Sequence, residues 1–388
     1  MQPRSHWNVA VLPGDGIGPE VIAQAVRLLL VVAQQANLKL NLTELPWPST
    51  AYHQAQGRMM PADWQAQLAE FDALLLGALG DPGPADDPNR YKLSDGVSLE
   101  PLLQIRKGFD QWACERPAVH LAGAPQYLAD PRAKQIDMLV VRENSEGEYC
   151  GQGGRIGRGS AHEVATQVEV FTRFGAERIF RHAFERARYR AALRARQDRP
   201  RRFASFDGAG AASQVCLITK RNALAHWGDM YSEVFEEVAA QYPDVATHHE
   251  LVDAACMKFV TAPWQFDVVV ASNLQGDILT DLAAVLCGGM GVAPSCNLNP
   301  SDRHQPPMFE PTHGSAPDIA GRNIAGPTAM LLTAAMMLEW MGEEDPAAAS
   351  AGAMLRNAVE ADLAEHGGQR RGTAEVGDAV LTRLRPSA

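Results

Sequence analysis

The chain has 388 residues, 46% of them hydrophobic and 21% charged, with a formal net charge of −11. That is ordinary globular composition with room for two domains, and it excludes disordered and fibrous classes. The negative balance argues against a nucleic-acid partner, which would need a strongly basic face, while a small anionic substrate needs only arginines gathered locally. Six cysteines, at 114, 150, 216, 256, 287 and 296, form no CxxC pair and no Cys/His zinc spacing. The start runs straight into a strand-like segment, and the longest apolar stretches, such as 328–338, are too short to span a bilayer. A reduced, cytoplasmic protein with no secretory leader and no membrane partner is expected.

Short apolar runs alternate with longer amphipathic ones, which predicts an α/β architecture. The first strand is WNVAVLP (7–13). PGDGIGPEV (13–21) then places three glycines in a strand-to-helix turn without GxGxxG spacing, so it reads as a tight turn whose Pro19 opens a helix. FDALLLGAL (71–79) is a strand followed by a Gly/Pro/Asp loop at 80–89. IRKGFDQWACERP (105–117) carries Arg106 and Arg116, and strand IDMLVVRE (136–143) ends near Arg142. Arginines bind carboxylates through two parallel hydrogen bonds, so the three would suit a di- or tricarboxylate if they converge.

Beyond them come Tyr149, a glycine-rich loop at 151–163 and a helix over 175–195, whose basic exit (186–202) reads as a solvated surface rather than a phosphate site. Strand SQVCLIT (213–219) ends at Lys220, and a helix is predicted over 227–242. Tyr149 and Lys220 are candidate proton carriers, because burial and neighbours can shift a lysine toward neutrality. Asp253 lies in THHELVDA (247–254), read as a strand, and FDVVVAS (266–272) is another. The helix in SNLQGDILTDLAA then carries Asp277 and Asp281 on one face, where their repulsion calls for a cation, a basic side chain or water. With Asp253, three carboxylates describe a Mg2+ or Mn2+ site. FEPTHGSAPDIAGRNIAGPTA (309–329) is a loop able to wrap a nucleotide, amides on phosphates and a carboxylate on ribose, and helices over 327–341 and 351–366 follow.

Taken in order, these motifs resemble the isocitrate/isopropylmalate dehydrogenase family of metal-dependent β-decarboxylating hydroxy-acid dehydrogenases, from VLPGDGIGPEV to AMMLEWMG. The resemblance implies a two-domain α/β isopropylmalate dehydrogenase-like fold, not a Rossmann fold, with the active cleft between domains. Residues 1–110 plus 288–388 would form the large domain with the nucleotide loop, and 111–287 the small, dimerising domain. It implies that Arg106, Arg116 and Arg142 hold the carboxylates of a malate, with Leu99, Glu100 and Leu102 near its C3 group. Tyr149, Lys220 and Asp253 would be catalytic, and Asp253, Asp277 and Asp281 would hold the metal. Glu310, His313, Gly314, Ser315, Ala316, Pro317, Asp318, Ile319 and Gly326 would line the cofactor site. Asp318 and Ile319 stand where NADP-using members commonly carry Lys-Tyr; a carboxylate repels a 2'-phosphate, so NAD is expected. The implied cofactors are NAD and Mg2+ or Mn2+, with a monovalent cation as a further candidate. The implied partner is a second copy, into whose site Lys220 and Asp253 reach.

The implied reaction is oxidation at C2 with loss of CO2, Lys220 taking the hydroxyl proton and Tyr149 returning one to C3. FDQ after the first arginine and the HEVA…VFTR run look most like the tartrate/D-malate dehydrogenase branch, whose substrates carry little on C3. Three departures stand out. Glu100 and Pro101 replace the branch's Trp-Gly; CERP replaces NLRP, with Cys114 and Glu115; IAGP replaces IANP, with Gly326. Leu102 and Leu103 suit an apolar pocket for an isopropyl group, which keeps 3-isopropylmalate, or another 3-substituted malate, as the alternative. A non-catalytic regulatory subunit is the alternative of another class.

Overall fold

A computed structural model describes residues 6–83, 87, 89–204 and 210–385; the 80–89 loop lies partly outside the described residues. The chain divides into two compact units. The first contains Met1–Gln111, Val119–Lys134 and Ala284–Ala388, the second Trp112–Ala118 and Gln135–Ala283. Residues 119–134 thus group with the first unit rather than with 111–287. Leu121 packs on the first unit's core, and Gly123 lies so close to Leu363 that an added Cβ would stand 1.9 Å from its carbonyl oxygen.

The first unit begins with β1 (Trp7–Gly14), α1 (Gly18–Ala36) and β2 (Leu40–Glu44). Pro19 opens α1, where its missing N–H costs nothing, and Asn37 ends it in the left-handed conformation. α2 (Thr50–Gln56) is capped by the Ser49 side chain, which accepts from the Tyr52 amide. α3 (Trp64–Leu68), the fully buried β3 (Ala73–Ala78), α4 (Asp95–Ser98) and α5 (Glu100–Gly108) follow. α5 starts on Glu100 and Pro101 and ends on Arg106 and Lys107, charges placed as the helix dipole favours.

The second unit holds β4 (Ala113–Val119), β5 (Asp137–Glu143), the hairpin β6 (Gly153–Ile156) and β7 (Val164–Gln167), and α6 (Arg173–Arg196). Then come β8 (Gln214–Thr219), α7 (Ala225–Ala239), β9 (Ala246–Leu251), α8 (Val252–Thr261), β10 (Val268–Ala271) and α9 (Asn273–Leu286). Its strands lie in the order β4-β5-β10-β8-β9, and β5, β10, β8 and β9 run parallel. Phe180 and Phe184 of α6 and Tyr231 and Phe235 of α7 pack edge-on or tilted against one another over Val215, Leu217, Val268 and Val270. The stretch 247–254 is not one strand: β9 stops at Leu251 and α8 begins at Val252, so Asp253 sits in a first helical turn, where a carboxylate is favoured.

The basic run 186–202 also differs from expectation. Arg190 and Arg194 reach the fully buried Asp267 at 2.9 and 2.7 Å, and Arg201 donates to the backbone oxygens of Asp137 and Trp264. A buried carboxylate needs such partners, so Arg190 and Arg194 face inward, while Arg188, Arg196, Arg199 and Arg202 of the same run are exposed as expected.

The chain returns to the first unit through β11 (Pro294–Leu298), β12 (Met308–Pro311), α10 (Thr328–Met341), α11 (Pro346–His366) and α12 (Thr373–Leu384). The strand order there is β2-β1-β3-β12-β11, with only the β11–β12 pair antiparallel among those strands. α10, apolar almost all round, is buried among α1, α11 and the sheet. Among the described residues no helix is long and apolar enough to cross a membrane.

Candidate functional site

In the second unit, the Glu148 carboxylate accepts from the Leu274 amide at 3.1 Å and the Ser272 hydroxyl at 2.8 Å, fixing the start of α9. Arg142, at the end of β5 and 2% exposed, donates Nε and Nη2 to Asn273 Oδ1 at 3.0 and 2.6 Å. Its Nη1 bonds Asp277 Oδ1. Gly276 makes this approach possible, since a Cβ there would lie 2.8 Å from that of Arg142. Arg116 of β4 donates Nη1 to Asp277 Oδ1 at 3.1 Å and to Thr280 Oγ1 at 2.6 Å, with Asp281 4.0 Å away. The Tyr149 hydroxyl donates to Asp277 Oδ2 at 3.2 Å, and the Arg142 guanidinium lies over its ring.

Five expected site residues therefore gather: Arg116, Arg142, Tyr149, Asp277 and Asp281. The two acids are balanced by arginines, which answers the repulsion noted in the sequence. Burial still raises the Asp281 pKa, Arg116 opposing it and Asp277 adding to it. Asn273 and Thr280 were missed by sequence reasoning, although Asn273 opening a helix directly after an apolar strand is a visible signal.

Lys220 and Asp253 form a second pair. Lys220 Nζ donates to Asp253 Oδ1 at 2.7 Å, and this bond lowers the Asp253 pKa. Among the described residues no three His, Cys, Asp or Glu side chains gather as a metal site. Asp277 and Asp281 suit a hard divalent cation, being oxygen donors one turn apart and partly exposed; Asp253 of the same chain does not join them.

In the first unit, Glu310 of β12 accepts from Arg106 Nη2 and Asn297 Nδ2, each at 2.8 Å. The loop from His313 to Ile319 is braced by the N-terminal turn: Ile17 N donates to Ser315 O at 2.9 Å, and a Cβ on Gly16 would stand 2.1 Å from that oxygen. Buried Asp15 holds the turn by accepting from the amides of Thr50 at 2.7 Å and Gly80 at 3.4 Å. The glycines of GDGIG thus allow a close backbone approach to the loop. Ala316 turns the loop through a left-handed φ of 42°. Gly314, Asp318 and Gly326 are exposed, Pro317 and Ile319 half-buried, and burial lowers the His313 pKa. An open glycine amide is a donor, and an exposed carboxylate an acceptor, that a dinucleotide can use.

Leu99, the residue just before α5, and Leu102 and Leu103 on it precede Arg106 by seven, four and three residues and so lie on its side of the helix. Leu102 also packs on the core below. Glu100 bonds Gln104 at 2.9 Å and lines a surface cavity of about 420 Å³ with His53, Arg58 and Trp64.

The family model described as isocitrate/isopropylmalate dehydrogenase matches residues 8–380. A 3-isopropylmalate dehydrogenase of Streptomyces coelicolor is 43% identical over 97% of this chain and 98% of its own length. A D-malate dehydrogenase (decarboxylating) of Escherichia coli is 42% identical over 87% and 86%. A probable tartrate dehydrogenase/decarboxylase of Agrobacterium vitis is 40% identical over 98% of each. Among solved structures, isocitrate dehydrogenase from Methylococcus capsulatus superposes with a TM-score of 0.76 at 30% identity, over 98% of this chain and all of that one.

Proposed function

The chain belongs to the isocitrate/isopropylmalate dehydrogenase family, has its fold and is an oxidoreductase acting on a hydroxy acid; from that premise we propose that it oxidises a malate bearing an apolar C3 group, 3-isopropylmalate being the test case, with NAD as acceptor and Mg2+ or Mn2+ as metal. The observation that carries the substrate reading is the stripe of Leu99, Leu102 and Leu103 on the Arg106 side of α5, while Glu100 turns along the helix to Gln104. D-malate or tartrate is the second reading, supported by relatives so named at 42% and 40% identity.

Arg106, Arg116 and Arg142 are the carboxylate donors, each offering a planar fork of N–H groups. Asp277 and Asp281 would hold the divalent cation, which when bound would supply Lewis acidity to the C2 oxygen. Lys220, held beside Asp253, takes the proton of the C2 hydroxyl on its amine lone pair, and a bound nicotinamide would accept the hydride that leaves C2. The bond from C3 to its carboxylate then breaks, CO2 leaves, and the Tyr149 hydroxyl donates the proton that C3 takes up. Asp318 would meet the adenosine ribose and Gly314 the phosphates.

A homodimer completes this reading, with the partner's Lys220 and the partner's Asp253 serving each site. Its support is that Asp253 stands apart from Asp277 and Asp281 within one chain, and that α8 and α9 expose Met257, Val260, Leu274 and Ile278.

The test is NADH and CO2 production with Mn2+ over 3-isopropylmalate, D-malate, both tartrates and isocitrate. The highest kcat/KM on 3-isopropylmalate is expected. Preference for D-malate or tartrate selects the second reading, and no turnover on any of them by folded protein selects a non-catalytic subunit.

A further inference from the structure

Each of the two arginines on Asp277 has a buried glutamate beside it on its own strand: Glu115 precedes Arg116 on β4, and Glu143 follows Arg142 on β5. Neighbouring side chains leave a strand on opposite faces, so each arginine that turns to α9 sends its glutamate the other way. There α6 carries Arg178, His182 and Arg186, four residues apart and so along one side of the helix.

Glu115 is 2% exposed, and its Oε1 meets His182 Nε2 at 2.8 Å and Arg186 Nε at 3.1 Å. Burial alone would raise its carboxyl, but Arg186 and His182 bring it down to about 2, so it is held as a carboxylate. Arg178 Nη2 donates to Ser145 Oγ at 2.7 Å, and that hydroxyl bonds Glu143, which also accepts from the amides of Ser145 at 3.0 Å and Glu146 at 2.9 Å. Trp112 fills the space between, with Arg178 4.9 Å from its ring and His182 edge-on at 5.8 Å. A buried ion pair is weak evidence for stability, since well-packed apolar groups serve as well, so a gain elsewhere is to be sought.

We propose that Glu115 is a positioning residue for substrate binding: tied to His182 and Arg186 of α6, it fixes β4 so that the Arg116 guanidinium is held in place beside Asp277 and Thr280. Glu115 touches no reacting atom and acts only through Arg116. The inference rests on the proposed reading of Arg116 as a substrate arginine.

The test compares Glu115→Gln and Glu115→Asp with the full-length wild type. In Glu115→Gln, the KM for 3-isopropylmalate should rise roughly tenfold or more with little change in kcat or in the KM for NAD, as loss of a supporting partner does. Glu115→Asp, which keeps the charge, should recover part of that loss. A lower melting temperature with an unchanged hydroxy-acid KM would make Glu115 merely structural and overturn the proposal. If Glu115→Gln does not fold, His182→Asn gives the same reading with a smaller expected rise. A crystal structure of Glu115→Gln, or of His182→Asn where the first does not fold, supplies a readout independent of substrate. Arg116 leaving hydrogen-bond distance of Asp277 is expected, and an unmoved guanidinium overturns the proposal even if the wild type turns over no malate.

Discussion

Arg142 and Asp277 are bonded directly, Nη1 to Oδ1, while the rest of the Arg142 guanidinium grips Asn273. Arg142 therefore stands between two demands, since the carboxylate it holds is also the proposed metal donor. A substrate carboxylate that takes over the guanidinium frees Asp277 for the cation, so substrate and metal should bind with positive coupling, each strengthening the other by the same factor. Calorimetry of Mn2+ binding should give a severalfold lower Kd in the presence of the preferred hydroxy acid, a change typical of coupled sites. Asp277→Asn should weaken Mn2+ by roughly a hundredfold or more and stop turnover while circular dichroism stays unchanged. Metal binding indifferent to the hydroxy acid would contradict the coupling.

Lys220 is held 2.7 Å from Asp253, at the junction of β8 with the chain that follows. As the group proposed to take the hydroxyl proton, it should matter to kcat more than to KM. Lys220→Ala is expected to lower kcat by about a hundredfold to ten-thousandfold, the range of general acid–base contributions, with the KM for the hydroxy acid changed far less. If the site is shared between two copies, mixing Lys220→Ala with Asp277→Asn protein should restore some activity, because the hybrid dimer carries one site with neither change. Loss seen mainly in KM would move Lys220 from catalysis to binding.

Residues whose role depends on their own neighbours in sequence were legible, and those defined by distant partners were not. The apolar runs of β1, β3, β5, β8 and β10 announce buried strands, whereas β4 reads ACERPAV, with two charges and a proline that hide its periodicity. α5 is nine residues long and starts on Glu100 and Pro101, so it lacks the turns that make a helical stripe visible. Asp277, Asp281, Arg116, Arg142 and Tyr149 were named from motifs, yet only the fold shows that one carboxylate collects Arg116, Arg142 and Tyr149. In the sequence Glu115 stands out only as a departure from the family's NLRP. It turns toward His182 and Arg186, residues 67 and 71 positions away that no local pattern connects to it.

The Asp318 carboxylate is exposed on a loop that Ser315 anchors to the N-terminal turn. In that setting its charge should select the cofactor by repelling a 2'-phosphate, not by shaping the loop. Replacing Asp318 by Lys together with Ile319 by Tyr should move the ratio of kcat/KM for NAD over NADP toward NADP by roughly a hundredfold, the scale on which one well-placed charge discriminates. The loop should tolerate the change without loss of melting temperature. An unchanged cofactor ratio would remove Asp318 from the ribose site.

His249 of β9 lies 2.8 Å from Thr219 Oγ1, one residue before Lys220. Burial first, then the positive charge of Arg221 and His248 nearby, push its pKa down from 6.5 to about 4, with Glu250 opposing them. The unfolded chain takes up this proton near 6.5, whereas the folded protein refuses it until about 4. Between those values the unfolded state binds more protons, so stability rises with pH across the window. The contribution of the neutral ring is thus fully present above 6.5 and is lost as pH falls toward 4. His249→Gln keeps an amide for Thr219 and removes the titration. Across the window the melting temperature of the wild type should fall further as pH falls, the variant giving the flatter curve. Carboxylates that titrate at the acid end act on both proteins alike, so the difference between the curves isolates His249. Parallel curves would mean that the ring is protonated in the fold as readily as in the unfolded chain.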